Sequence, residues 1–518
     1  MKKLYLALII FFFVALSVRL IKLGETPNSA TWDEAALGYN TYSLLKTGAD
    51  EYGTKIPLVL RSFDDYKPAL YAYTSLLPVK IWGPNMFSIR FISALSGSFL
   101  ILGVYLLTRV YFDKKIALLA AFLTIFEPLF ISYSRIGLEA NLSLTLFIFG
   151  AAFWLSPSSG QVKRYFGLFF LLLSAYAYHS PRYLIPIIVL LNLKKNFRQL
   201  VFFIIGYLPI AYLVLSPVYN TRFREISIFT NYGVLFGSIA DLGKTPMILA
   251  GVSRFFFYLG DFVGRFLSYF NPYQLFIQSS GHPLYVVTQM GVFNTFELPF
   301  FVLGFIFCLK NFKKYFFYWV IITIGVLPAA ITVDWFSPLR GLFIWPFFVI
   351  FTAYGIQNFP YRNFLFIIVL FWLLNVLRIF DTLYIYRPYT QSGAYQYGFA
   401  QMAPFVKSIQ GEYKEIVIES PHAQPHIFMA FFTAYDPKKY QTDTLWRKTD
   451  FSPRKNFDFG PYHFRKIYFP VDRAQKGTLF VGNEYSLPTD QIKTLDGVKV
   501  FKDFFYPDGN ISFRVVGI

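Results

Sequence analysis

Eleven stretches of nearly pure hydrocarbon, joined by short polar segments, govern what this 518-residue chain can fold into. They fall at 4–22, 86–110, 115–131, 139–155, 164–178, 182–193, 199–216, 292–309, 316–333, 339–356 and 362–380. An apolar run of roughly 18 residues or more crosses about 30 Å of hydrocarbon as a helix. In lipid every backbone polar group must be satisfied within its own segment, and a helix does that. Composition agrees: 55% of residues are hydrophobic, 64 are Phe, and only 15% are charged. The expected fold class is therefore a polytopic α-helical membrane protein with about eleven transmembrane helices.

Loop charge tests this layout independently of hydropathy. Basic residues collect in cytoplasmic loops. With the N-terminus inside, the inner loops are "DKK" (113–115), "SPSSGQVKR" (156–164), "LKKNFRQ" (193–199), "KNFKKY" (310–315) and "YRN" (361–363), all basic. The opposite loops, "SYSRIGLE", "YHSPR", 217–291 and "DWFSPLR", carry only scattered arginines. The +19 formal charge thus reads as topology rather than as a nucleic-acid-binding face. The opening "MKKLYLALIIFFFVALSVRLIK" resembles a secretory signal but has no small-x-small cleavage site after it, so it is expected to stay as the first helix. The expected location is the plasma membrane, with the N-terminus cytoplasmic.

Two regions depart from the pattern. The outer loop 23–85 contains two helix-like stretches, 33–46 and 68–82, with Tyr on one side and aliphatics on the other, as in interfacial helices. Beyond 380 hydropathy falls, and the runs "KEIVIES", "FRKIYFPV", "GTLFVGN" and "ISFRVVGI" read as strands, with "HIFMAFFTAY" as a helix. The expected domains are a membrane domain at 1–380 and a small extracytoplasmic α/β domain at 381–518. The single cysteine, Cys308, rules out an internal disulfide and a Cys-based metal cage.

The outer face gathers Asp33, Glu34, Asp64, Asp65, Lys67, Glu127, Arg135, Glu139, His179, Arg182, Asp334 and Arg340. Arginines there oppose the positive-inside preference, and a membrane-level anion such as a lipid phosphate would account for them. Arg135 and Arg182 fit snorkelling to the interface equally well. His179 suits a polar cap better than a ligand, and Glu127 suits a helix–helix hydrogen bond. Asp33, in "TWDEAALGY", fits an N-terminal helix cap but also stands at headgroup depth, as does Glu139 at the start of another span.

The order "WDEAALGY", "DDYKPALYAY", "GPNMFSIRFISALSGSFLILGVYLLTRVYF", "SRIGLEANL" resembles the glycosyltransferase C superfamily. The nearest branch holds the protein O-mannosyltransferases and the lipid A aminoarabinose transferase. The resemblance is strongest over residues 1–155 and is not recognisable beyond 381. It implies an enzyme that moves a sugar from a polyprenyl-phosphate donor to an acceptor at the outer membrane face. Asp33 takes the place of the family's first-loop acid, as base or acceptor-orienting carboxylate. Lys67-Pro68 matches the Lys-Pro of the family's "KPPL" helix and implies phosphate contact, with Ala69 replacing the second proline. Glu139 stands where the family usually has Asp, and Arg340 matches a late-loop basic residue for phosphate. Glu34 and Glu139 would orient sugar, acceptor or a divalent ion; such an ion is the one cofactor the reading leaves open, with Asp33 and Glu139 as its ligands.

Physical chemistry asks for the same parts. Displacing a sugar from a lipid phosphate needs a base for the incoming hydroxyl and cations for the departing phosphate. The expected partners are a polyprenyl-phosphate-linked sugar, membrane lipids and an acceptor protein, lipid or glycan, with no nucleic acid. A transporter or flippase of lipid-linked glycans is the rival reading, but its usual marks, repeated halves and discontinuous helices near the midplane, are not evident, and the charges cluster at one face. A surface-binding role for 381–518 is a third.

Overall fold

In chain order the first elements are helix α1 (Lys2–Leu20), α2 (Trp32–Thr47), strands β1 (Val59–Ser62) and β2 (Asp65–Pro68), then α3 (Leu70–Trp82), α4 (Met86–Thr108), α5 (Lys114–Phe126), α6 (Pro128–Ser134), α7 (Glu139–Leu155), α8 (Gln161–Ala177), α9 (Pro181–Leu191) and α10 (Phe197–Leu215). The computed structural model describes residues 2–62, 65–157, 160–193, 196–216, 226–230, 247–361, 363, 365–420, 424–443, 457–493 and 497–518. Asp64, Ser158, Ser159, Lys194, Lys195, Arg362 and most of 217–246, all invoked above, lie outside them, as does the side chain of Asp65. Each of the eleven apolar runs contains a helix, the later ones at Leu298–Lys310, Phe316–Ala330, Trp345–Gln357 and Leu365–Asp381. Among the described residues four helical stretches are long and apolar enough to cross a membrane alone, and a bent pair makes a fifth.

The chain divides into two units. The first comprises Met1–Ile21, Ser93–Ser134 and Leu138–Phe380. Its helices approach closely where side chains vanish, the usual device when lipid offers no hydrophobic drive for association. A Cβ on Gly304 would lie 1.8 Å from the Phe351 carbonyl oxygen, and one on Gly355 would lie 1.9 Å from that of Phe300. Neither backbone can yield. Gly355→Val is expected to destabilise the protein by about 3 kcal/mol or more, read as a lowered thermal midpoint in detergent.

A second device is a span that breaks. α5 and α6 meet at 58° because Pro128 cannot continue the helix and leaves carbonyls without donors. The fully buried Arg19 supplies them, reaching the Ile125 carbonyl at 3.4 Å, the Thr124 carbonyl at 3.5 Å and the Ser134 hydroxyl at 3.1 Å.

The second unit comprises Lys22–Ile92, Arg135–Gly137 and Asp381–Ile518. Its five-stranded sheet has the order β4-β3-β5-β7-β6, with β3 (Glu415–Glu419), β4 (Tyr462–Arg465), β5 (Thr478–Gly482), β6 (Lys499–Phe505) and β7 (Ile511–Gly517). β3 runs parallel to β4 and β5, and β7 antiparallel to β5 and β6. Three strand runs and the helix Pro425–Phe432 coincide with expectation; the fourth run, 464–471, shares only Phe464 and Arg465 with β4, because Phe469–Asp472 winds into a helical turn at Pro470.

β6 and the hairpin β1–β2 were not foreseen. The placement of α2 also differs from expectation. α2 is buried on nearly every side rather than lying on a surface, and Gly38 meets the Phe431 ring at a distance a side chain could not tolerate. Its Ala35, Ala36 and Tyr39 join Ile416, Phe428 and Val481 in one hydrophobic core. α3 does keep an apolar exposed face, with Leu77 at 64% and Ile81 at 59%.

Candidate functional site

The start of α2 carries two neighbouring acids with opposite surroundings. Thr31 and Glu34 close a capping box: the Glu34 amide donates to Thr31 Oγ1 at 3.1 Å, and the Thr31 amide to Glu34 Oε2 at 3.0 Å. Glu34 is fully buried and accepts two further partners. Arg90 donates through Nε to Oε1 at 2.8 Å and through Nη2 to Oε2 at 3.2 Å; the Gly137 amide donates to Oε1 at 2.8 Å. Arg90 is equally buried, and its remaining hydrogens go to the carbonyls of Leu23, Pro27 and Ser29 at 3.1, 2.8 and 2.6 Å. One carboxylate and one guanidinium thus tie the chain after α1, the start of α2, α4 and the 135–137 turn together. Glu34 acts within the frame.

Asp33 faces the other way. Its carboxylate pairs with the Lys67 ammonium; the lysine side chain is 6% exposed and the aspartate 22%. Lys67 is carried by β2, opposite Leu60 of β1, so a backbone ladder sets its reach. Asp33 lies in the first turn of α2, where the helix dipole favours an anion. An accessible carboxylate and a shielded ammonium in contact can accept a proton and offer a positive charge to a neighbouring anion.

Arg135 belongs to the same unit. It donates to the Thr26 carbonyl at 2.9 Å and the Lys22 carbonyl at 3.3 Å, and its guanidinium lies 5.0 Å from the Tyr384 ring centre. Burial pushes it down to about 10; Tyr384 opposes the shift, and Arg90 and Arg387 add to it. It stays charged at neutral pH while holding the chain that leads to α2.

The remaining expected residues lie in the first unit. Glu139 opens α7, where its charge suits the helix start. Arg182 donates to the Ala175 carbonyl at 3.1 Å and contacts His179 Nδ1 at 3.2 Å, so these two are partners. Arg340 pairs with Asp334 at 2.6 Å and donates to Thr332 Oγ1 at 2.6 Å. Among the described residues no group of three or more His, Cys, Asp and Glu side chains could hold a metal ion.

Sequence reasoning passed over Arg90, although an arginine inside the run "MFSIRFISAL" was itself a signal, since a charge there needs a partner. It also passed over Asn294 and Glu297, at the mouth of a later helix.

Comparison with known proteins agrees with the resemblance read from the sequence. Residues 66–243, less than half of the chain, match the family described as dolichyl-phosphate-mannose-protein mannosyltransferase. The fold is similar to that of ArnT from Cupriavidus metallidurans bound to undecaprenyl phosphate, with a TM-score of 0.54 at 11% identity over 98% of this chain and 97% of that one. An oligosaccharyltransferase of Archaeoglobus fulgidus, tethered to an acceptor peptide, matches with a TM-score of 0.49 at 12% identity over 98% of this chain and 74% of that one. No curated protein matches the chain. At 11% identity, the likeness to ArnT is one of fold.

Proposed function

We propose that this protein is an integral-membrane glycosyltransferase that moves a sugar from a polyprenyl phosphate to an acceptor at the outer face of the plasma membrane. The observation that carries the reading is the contact between Asp33 and Lys67 at the start of α2, beside a buried acid–base lock. Asp33 takes the proton of the acceptor hydroxyl as that oxygen bonds to the anomeric carbon. The bond from that carbon to the phosphate oxygen breaks, and the lipid phosphate leaves with its charge against Lys67. A single displacement inverts the anomeric centre. The phosphate and Asp33 compete for one ammonium, so donor binding loosens the pair.

A lipid-linked donor remains at headgroup depth, and the expected topology, with its basic loops inside, has the α2 end outside. Lys67→Met is expected to raise the KM for the lipid donor by about tenfold or more with a smaller change in kcat, because it removes a phosphate contact. Proteoliposomes supplied with a radiolabelled lipid-linked sugar would measure it; an unchanged KM would count against Lys67 as the phosphate ligand. Glu139, His179, Arg182 and Arg340 are proposed contacts for sugar or phosphate, to be read by the same assay.

A further inference from the structure

Where two helices of the first unit begin, three acceptor oxygens lie without a hydrogen-bond donor. Glu127 ends α5 and precedes Pro128, so it sits at the 58° bend. Glu297 is the residue from which the helix Leu298–Lys310 starts. Glu127 and Glu297 are 0% exposed and Asn294 is 2% exposed. Asn294 Nδ2 donates to Glu127 Oε2 at 3.3 Å and to Glu297 Oε1 at 2.9 Å, drawing the three side chains into one cluster. The two carboxyl groups also face each other within hydrogen-bond reach. Glu127 Oε1, Glu297 Oε2 and Asn294 Oδ1 receive no donor.

Two carboxylates removed from water repel each other and lack hydration, so they need a compensating positive charge. No basic side chain is paired with either among the described residues. Protons on the carboxyls would relieve their charge and serve the bond between them, yet would leave the Asn294 oxygen bare. A divalent cation cancels both charges and meets all three oxygens. The donor set is entirely oxygen, which selects a hard ion, and Mg2+ is commonly held by one or two carboxylates with water completing its shell.

We propose that Glu127, Glu297 and Asn294 hold one hard divalent cation of the Mg2+ or Mn2+ class at the α5–α6 bend. Its third protein ligand is an amide oxygen, so the site is not a cluster of acids and histidines alone. The ion clamps the break in the span to the start of the helix Leu298–Lys310. Thr295, which donates to the Phe276 carbonyl at 2.7 Å, extends that clamp to the helical turn Tyr273–Ile277. The role is positional, remote in kind from the Asp33 chemistry.

The test uses the full chain in lipid nanodiscs, stripped with EDTA and titrated with Mn2+ under electron paramagnetic resonance. One saturable Mn2+ per chain, displaced by Mg2+ and accompanied by a raised thermal midpoint, is the expected result. Glu127→Gln and Glu297→Gln keep the shape and should lose the binding. Asn294→Asp separates a metal from a proton: it removes the amide donor, so a proton-held cluster weakens, whereas a metal site gains a charged ligand and binds Mn2+ more tightly. Asp33→Asn should bind Mn2+ as the wild type does, so the outcome is independent of sugar transfer. No Mn2+ on the wild type, equal binding by Glu297→Gln, or a protonated-carboxyl infrared band that persists under saturating Mn2+ would overturn the assignment.

Discussion

Asp33→Asn is expected to lower sugar transfer by about two to four orders of magnitude, the usual contribution of a positioned general base. Asparagine matches aspartate in shape and still suits the first turn of α2, so the fold should survive. What disappears is the charge that receives a proton and balances Lys67. The loss should fall on kcat more than on the KM of the lipid donor, since the phosphate would still find the ammonium. Turnover of radiolabelled lipid-linked sugar by purified proteoliposomes measures both, with the thermal midpoint as a check on folding. Asp33→Glu keeps the base but moves it by a methylene, and should retain more activity than the amide. Full activity in Asp33→Asn would falsify the assignment of the base and, with it, the proposed chemistry.

The second large effect is structural. Removing one partner of a buried ion pair leaves the other charge unpaired, typically at about 3–5 kcal/mol. Arg90→Leu should reach or exceed that range, because it strands Glu34 and also removes the donors to the Leu23, Pro27 and Ser29 carbonyls. Glu34→Gln should be milder: the amide oxygen can still accept from Arg90 or Gly137, though not from all four donors at once. The double variant Glu34→Leu/Arg90→Leu should recover part of the loss, since no lone charge remains. Thermal unfolding in one detergent would rank the three, and a double variant worse than the sum of the singles would contradict the lock. Activity should fall in step with stability, because the lock positions α2.

The helices of the first unit could be read from hydropathy, since bilayer thickness imposes a length on an apolar run. Every apolar run holds a helix for that reason, even the short "RYLIPIIVLLNL", which the structure shortens to Pro181–Leu191. What stayed hidden was long-range pairing. Nothing local in "DEAALGYNTYSLLK" says that its small residues make room for Phe431, almost four hundred positions later; Tyr and aliphatics on opposite sides suit a membrane surface and a protein interior alike. The same blindness hid β6, whose sequence "KVFKDFF" mixes charged and aromatic residues without a regular alternation. Motif order singled out Asp33 and Lys67 but not their contact, and Glu34, expected to orient sugar, acceptor or ion, instead receives four donors within the frame.

The tandem acids at 33 and 34 set a limit on redesign. Successive residues on a helix point about 100° apart, so one backbone step separates a carboxylate that anchors from one that is open. Exchanging the two letters would leave composition and charge untouched, yet place the shorter arm where four donors converge and the longer one against the lysine. Any redesign of this region therefore has to begin around this dipeptide rather than within it.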